Sequence, residues 1–103
     1  MPMKLFDAVK AMKSLQWKNM PSMLQARDHC VAVSMNGKHL VVLGGGIEKS
    51  TEALTTDGKT FMIFPEMSEP RDGLTTAADE TAIYAVGGFG SKSAEMFSSE
   101  EKK

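Results

Sequence analysis

The sequence predicts an all-β protein built from two copies of one antiparallel sheet, and three observations carry this prediction. Anchor residues recur at a nearly constant spacing, since Arg27 and Arg71 lie 44 residues apart and Glu52 and Glu95 lie 43 apart. Short apolar runs alternate with turn residues, and a Gly-Gly pair closes one such run in each copy. A period in the low forties is typical of stacked supersecondary units.

The first copy contains four predicted strands joined by two hairpin turns. Asn36-Gly37 separates the first two runs, and this dipeptide favours a type I′ turn because both central residues need a positive φ. Asp57-Gly58 separates the last two runs, where we predict a hairpin of the same design. Gly44-Gly45-Gly46 ends the second strand, since a glycine run does not hold an extended backbone. The four strands are predicted at residues 29–35, 39–44, 51–56 and 59–64.

The second copy contains three predicted strands, at residues 73–78, 82–87 and 93–97. Asp79-Glu80 takes the place of the Asn-Gly turn. The fourth strand of this copy is missing, but a strand of that kind is predicted near Leu15-Gln16-Trp17-Lys18, because Trp17 precedes Phe61 by 44 residues. With the strands of one copy labelled a to d, the chain has the order d-abcd-abc.

Both ends of the chain are interpreted as lying outside the two sheets, which occupy residues 15–97. Residues 1–14 are predicted to be irregular or helical, because Leu5, Val9 and Met12 have helical spacing while Leu5-Phe6-Asp7 also suits the remnant of a c strand. Residues 98–103 are predicted to form a solvated tail.

Composition and charge argue against several classes of partner. The net charge is −1 and aromatic residues make up 7% of the chain, so neither a basic surface nor a base-stacking platform for nucleic acid is expected. No apolar run approaches the length of a membrane span, and the charged first twenty residues do not suit a signal peptide. Cys30 is the single cysteine, which fits a reducing compartment. We therefore predict a cytoplasmic protein with no membrane or nucleic-acid partner.

The repeated anchors resemble the kelch repeat, the unit of kelch-type β-propellers. In residues 83–88 an apolar strand contains a tyrosine and ends in Gly-Gly, and the following strand contains Glu95. In residues 17–27 an aromatic residue leads to Met, Pro and Arg. The resemblance covers residues 15–97. It implies four-stranded blades around a channel, so the chain is expected to form two kelch-type blades of an incomplete propeller.

Two blades are too few to close a ring, because each blade buries its faces against its neighbours. Three arrangements remain open. In the first, the chain self-associates head to tail, and the N-terminal d strand of one copy completes the abc sheet of the next. In the second, the chain is a piece of a longer propeller protein. In the third, it docks onto a protein that supplies further blades.

The resemblance implies a non-enzymatic module in which rim loops on a rigid scaffold bind a protein partner. In many family members the propeller acts as an adaptor that selects substrates for a ubiquitin ligase through a separate BTB domain. Partner contacts in the family come mostly from the loops between strands b and c and between strands d and a. The candidate residues in these loops are Asp28, His29, Gly46, Ile47, Glu48, Lys49, Asp72, Phe89, Ser91 and Lys92.

Two other classes are weighed against this one: a kelch-type propeller enzyme and a purely structural subunit that completes a ring. A phosphate loop needs glycine directly before the lysine, and Glu48 stands before Lys49. A kelch-type copper oxidase needs two tyrosines, and Tyr84 is the only one, interpreted as a packing residue. His29 and Cys30 are adjacent in a predicted strand and are expected to point to opposite faces. We therefore predict no catalytic residue, no metal and no cofactor.

The remaining polar residues near the predicted a strands are given structural roles. Arg27 and Arg71 each precede an a strand, and in kelch repeats an arginine near this position often makes structural hydrogen bonds. Asp28 and Asp72 hold equivalent positions and are interpreted as solvated or capping residues rather than as iron ligands. Cys30 is interpreted as a buried structural residue.

Overall fold

The computed structural model describes residues 16–37 and 39–99, and seven strands lie within these ranges. The first copy supplies four of them, which are β1 (Val31–Met35), β2 (His39–Leu43), β3 (Thr51–Leu54) and β4 (Phe61–Phe64). The second copy supplies β5 (Thr75–Ala78), β6 (Ala82–Val86) and β7 (Ala94–Ser98). Six of the seven lie inside their predicted bounds, and β7 extends one residue beyond its bounds.

The strands form two antiparallel sheets in which neighbours follow the order of the chain. The first sheet has the order β1-β2-β3-β4, and the second sheet has the order β5-β6-β7. Both sheets are open, with edges formed by β1 and β4 in the first and by β5 and β7 in the second. The prediction of an all-β protein with two antiparallel sheets is therefore confirmed.

The two hairpins of the first sheet use different turns. Asn36 and Gly37 have φ angles of 58° and 64°, as the predicted type I′ turn requires. In the second hairpin the strands close between Thr55 and Thr60, and the Gly58 N–H donates to the Thr55 carbonyl. The prediction of one shared design is wrong, because Asp57 Oδ1 accepts from the Thr55 hydroxyl and the Lys59 N–H and so holds a wider loop together.

The hairpin of the second sheet closes without an Asn-Gly pair. Asp79 Oδ1 accepts the backbone N–H groups of Thr81 and Ala82 at 3.0 and 2.9 Å, and these bonds hold the pKa of Asp79 below its ordinary value. The Asp79 N–H donates to the Ala82 carbonyl, which completes the turn. The Asp79 carbonyl accepts from the Asn36 N–H at 3.3 Å, so the turns of the two sheets are joined.

The core lies between the two sheets, which stack face to face. Phe64 on β4 and Phe97 on β7 extend it to one side, with ring centroids 4.7 Å apart. Burial of this apolar surface is the main source of stability. The buried members of the core come from the first sheet, from β6 and from the segment between the sheets: Met35, Val41, Leu43, Ala53, Met67, Leu74, Ile83 and Ala85.

The second sheet has one buried face and one open face. Alternation along β6 sends Ile83 and Ala85 into the core, at 2% and 3% exposure, and sends Tyr84 and Val86 to the other side, at 37% and 48%. Tyr84 therefore lies on the uncovered side of β6 in the single chain, and its interpretation as a packing residue stays a prediction. The strand register places further exposed residues beside them on β5 and β7. This set is named the open face and consists of Thr75, Ala77, Tyr84, Val86, Ala94 and Met96.

One limit of the second sheet differs from its prediction, because Ser98 belongs to β7 rather than to a tail. Residues 16–18 pair with no strand of the described ranges, and the side chain of Trp17 is fully exposed. The strand predicted near these residues needs a sheet from outside the described ranges and stays a prediction. The predicted segment 1–14 and residues 100–103 lie outside the described residues. Within residues 16–37 and 39–99, no helix is long and apolar enough to cross a membrane.

Candidate functional site

The candidate loops lie at one end of the stacked sheets. In an antiparallel sheet, the start of the first strand lies at the same end as the connection between the second and third strands. Residues 28–29 and 71–73 come shortly before β1 and β5, whereas residues 44–50 and 87–93 connect the second and third strands of each copy. We name this end the rim. The hairpin turns lie at the opposite end.

Residues 71–73 form the centre of the rim. Their backbone makes hydrogen bonds with Gly45 at 3.0 Å, with His29 at 3.1 Å and with Phe89 at 2.7 Å. In these bonds Gly45 and Phe89 donate their N–H groups, whereas the His29 carbonyl accepts from Gly73. The loops of the two sheets are therefore joined by main-chain bonds, which makes the rim one continuous surface.

The side chain of Asp72 adds polar contacts at the same place. Its Oδ1 accepts the Gly46 N–H at 3.3 Å and lies 3.2 Å from Nδ1 of His29. The imidazole of His29 is also 3.8 Å from the Asp28 carboxylate. His29 has a φ of 63° and precedes β1, so the prediction that it lies in a strand beside Cys30 is wrong. The structure thus brings Asp28, His29, Gly46 and Asp72 together.

Two large apolar side chains project from the rim. Ile47 is 88% exposed and Phe89 is 92% exposed. Each belongs to a loop between the second and third strands of its sheet. Removing apolar side chains of this size from water is favourable, so a protein that covered them would lower the free energy of the system.

Glu48 and Lys49 face the neighbouring segments of the first copy. The Ser50 hydroxyl donates to Glu48 at 3.1 Å, and hydrogen bonds from Gln25 and Ser50 lower the pKa of Glu48. Lys49 Nζ lies 3.6 Å from the Glu66 carboxylate, and both side chains are about half exposed. These contacts place Glu48 and Lys49 on the side of the rim nearest to β4.

Ser91 and Lys92 hold a similar place in the second copy. The Ser91 hydroxyl lies 3.4 Å from Glu69 and 3.0 Å from the Ser93 hydroxyl, so it belongs to a small polar network. Lys92 is exposed. The Ser91 side chain therefore contacts Glu69 and Ser93, whereas the Asp72 side chain contacts Gly46 and His29.

A buried arginine fixes the rim of the first sheet. Arg27 Nε donates to Glu52 at 2.9 Å, its Nη1 donates to the carbonyls of Gly44 and Ser50 at 2.9 and 3.0 Å, and both charged side chains are 1% exposed. The other oxygen of Glu52 accepts the Leu24 N–H at 2.6 Å. We name this arrangement the arginine clamp, because it joins the segment before β1 to the ends of β2 and β3.

The second sheet repeats these bonds of the arginine clamp. Arg71 Nε donates to Glu95 at 3.2 Å, and Nη1 donates to the carbonyls of Gly87 and Ser93 at 2.7 and 3.0 Å. The other oxygen of Glu95 accepts the Ser68 N–H at 2.9 Å. Each member lies 43 or 44 residues after its counterpart in the first clamp. The structural role predicted for both arginines agrees with this geometry.

The glutamates of the two clamps differ in burial. Glu95 is 27% exposed at its side chain, whereas Glu52 is 1% exposed. Burial acts to raise the pKa of Glu95, but hydrogen bonds from Ser68 and Arg71 outweigh it, so the pKa is lowered from 4.5. The folded state therefore holds a proton on Glu95 less tightly than the unfolded state does.

Acid is expected to weaken the second clamp. Because the folded pKa of Glu95 is lowered, its stabilisation is complete above the unfolded value of 4.5 and is lost as the pH falls through the folded pKa. Denaturant unfolding from neutral to acidic pH measures this loss, and Glu95→Gln should flatten the curve in the acidic range. Glu80→Gln, on the exposed turn after Asp79, is the matched control and should keep the original slope. Equal slopes for both variants and the parent chain would contradict this role of Glu95.

The pairing of each arginine with its glutamate is the feature that sequence reasoning missed. Arg27 and Glu52 are 25 residues apart, and nothing local in either copy joins them. The sequence offers one signal for the pairing. The arginine and the glutamate both recur in the second copy at nearly the same spacing, as residues that contact each other are expected to do. Leu24 and Ser68, which bond to the two glutamates, recur at this spacing as well.

Within residues 16–37 and 39–99, no group of three His, Cys, Asp or Glu side chains is placed to hold a metal ion. Cys30 is a free, half-buried thiol, so the prediction of a fully buried cysteine is wrong. What the rim provides is a fixed surface with apolar and charged side chains.

Comparison with known proteins adds no family to these observations. No family model matches the chain, and no curated protein matches it. The fold and the rim therefore define the chain as an all-β protein of two stacked antiparallel sheets with repeated arginine clamps.

Proposed function

We propose that this chain is a protein-interaction module of kelch type whose rim binds a protein partner. The observation that carries the proposal is the joining of rim loops from both sheets by backbone hydrogen bonds around residues 71–73. Loops fixed on a rigid scaffold are suited to binding, because little conformational entropy is lost when a partner docks. The resemblance to kelch repeats adds an adaptor role to this proposal, and the composition of the chain, with its single cysteine, adds a location in the cytoplasm.

The chemistry of the rim favours a protein over a small molecule or a polyanion. Ile47 and Phe89 supply exposed apolar anchors, while His29 and Asp72 supply hydrogen-bonding groups in the same rim loops. Protein interfaces combine such apolar anchors with a polar surround. Both signs of charge are present, whereas a nucleic-acid surface needs an excess of basic residues.

Photo-crosslinking from two ends of the molecule tests this proposal. A photoreactive phenylalanine analogue replaces Phe89 on the rim in one preparation and Lys59 in the opposite turn in another. We expect a discrete cross-linked protein from position 89 in a cell extract, and no matching product from position 59. Mass spectrometry identifies the cross-linked protein, which is then purified. A product formed only from position 59 would contradict a binding rim.

The purified partner then allows the anchors to be measured one at a time. Phe89→Ser and Ile47→Ser are each expected to raise the dissociation constant about tenfold or more, since exposed aromatic and aliphatic anchors carry much of an interface energy. Lys59→Ser changes an exposed residue at the other end and should leave the constant unchanged. Circular dichroism shows whether each variant keeps its sheets. Unchanged binding by both rim variants would refute the proposal.

A further inference from the structure

Among the described residues, the second sheet has three strands, whereas the first sheet has four. In the first sheet, β4 pairs with β3 along Thr51–Leu54. The equivalent of β3 in the second sheet is β7, and no strand within residues 16–37 and 39–99 pairs with Ala94–Phe97 on the side away from β6. An edge strand presents a row of backbone groups that another strand can pair with.

One face of the second sheet is also exposed. The open face carries Tyr84, Val86 and Met96 at 37%, 48% and 51% exposure. Their equivalents in the first sheet are Val41, Leu43 and Ala53, which are buried against the second sheet at 1%, 4% and 7%. In the first sheet, the surface equivalent to the open face is therefore covered by the next sheet along the chain.

Residues 16–20 are equivalent to β4 but pair with nothing in the described ranges. Trp17 lies 44 residues before Phe61, which is 9% exposed, yet Trp17 is 102% exposed. The segments that follow both residues are equivalent in contacts as well as in sequence. Leu24 bonds to Glu52 as Ser68 bonds to Glu95. Residues 16–20 therefore lead into the same contact as β4 does, but they pair with no strand of the described residues.

Within one chain, residues 16–20 do not lie next to β7. Glu52, which accepts from Leu24, shares its face with Val42, and alternation along β2 directs that face away from the core residue Val41. Glu95, which accepts from Ser68, shares its face with the core residue Ala85. Residues 16–24 thus leave the molecule on the far side of the first sheet, with that sheet between them and β7.

We propose that a second copy of this chain supplies residues 16–20 as the fourth strand of the second sheet. The register copies that of β4 on β3, so Trp17 pairs with Phe97 and Lys18 pairs with Met96. The first sheet of the second copy then lies over the open face and meets it through the face that carries Glu52, whose exposed residues include Ala32, Ser34 and Ile63. This assembly goes beyond the proposed function, because it involves surfaces other than the rim.

Disulfide trapping tests the register directly. In a Cys30→Ser background, one preparation carries Lys18→Cys and a second, isotope-labelled preparation carries Met96→Cys. Antiparallel neighbours have Cα atoms close enough for a disulfide, so oxidised glutathione should link the two preparations into a heterodimer of distinct mass. Thr75→Cys, on the open face at the far edge strand, is the matched control and should give much less heterodimer. Equal yields from both positions would overturn the proposed register.

Trp17 reports the association without any cross-link. It is the single tryptophan of the chain, so its emission should shift to shorter wavelength as the concentration rises and the indole becomes buried beside Phe97. Light scattering should show larger species over the same range. Trp17→Ala should raise the dissociation constant about tenfold or more, whereas Trp17→Phe should largely retain association. A folded monomer with an exposed Trp17 throughout the micromolar range would overturn the proposal, as would an internal disulfide in the Lys18→Cys, Met96→Cys double variant.

Discussion

Replacing Arg27 with alanine is expected to lower the free energy of unfolding by about 3 to 5 kcal/mol, because one partner of a buried ion pair is lost. The substitution leaves the carboxylate of Glu52 without its Nε–H donor at a position that is 1% exposed. It also removes the donor shared by the carbonyls of Gly44 and Ser50. Urea unfolding followed by circular dichroism measures the loss.

Two further variants make this result specific to the clamp. Lys49→Ala breaks an exposed pair with Glu66, and exposed pairs contribute about 0 to 1 kcal/mol, so it is the matched control. Arg27→Lys keeps the charge but loses the planar guanidinium group that donates to Glu52, Gly44 and Ser50. We expect its loss of unfolding free energy to lie between those of the other two variants. If Arg27→Ala cost no more than Lys49→Ala, the clamp would not be the structural element that we describe.

Gly45→Ala is expected to destabilise the chain by roughly 3 kcal/mol or more, through backbone strain together with a steric clash. Gly45 has a φ of 105°, and a Cβ built there lies 2.6 Å from the carbonyl oxygen of Asp28 and 3.2 Å from the Cys30 nitrogen. Both of these atoms belong to the backbone at the start of the first sheet, so neither can move aside without disturbing the rim. Thermal unfolding measures the effect.

The same substitution at the next residue, Gly46, is the matched control. Gly46 has a φ of 57°, which is the left-handed region, and a Cβ there has no atom within 4 Å. Gly46→Ala is therefore expected to cost only about 1 kcal/mol. A loss for Gly46→Ala as large as that for Gly45→Ala would mean that the close approach of Gly45 to Asp28 is not what determines stability here.

The strands were predictable because their signals are local. Alternating apolar residues and turn dipeptides such as Asn36-Gly37 depend on a few neighbouring residues, and the structure places β1 to β6 within the predicted bounds. The details of the turns were less predictable. Asp57 and Asp79 both accept backbone N–H groups through their side chains, and that choice depends on the geometry of the finished turn.

The clamps and the rim depend on contacts between distant parts of the chain. Arg71 meets Glu95 across 24 residues, and Gly45 meets Arg71 across sheets. No local pattern encodes either contact, although the repeat spacing marks the residues involved. Trp17 illustrates a second reason why sequence and structure differ. It is predicted to lie in a strand, but a strand needs a neighbouring sheet to pair with, and the described residues of one chain leave Trp17 exposed.

The stacking of two equivalent sheets is tested most directly by nuclear Overhauser effects in the isotope-labelled chain. The account predicts strong effects between the ring protons of Phe64 and Phe97, whose centroids lie 4.7 Å apart in different sheets. Their absence, in a sample whose chemical shifts show both sheets formed, would contradict the face-to-face arrangement on which the rim, the clamps and the open face all depend.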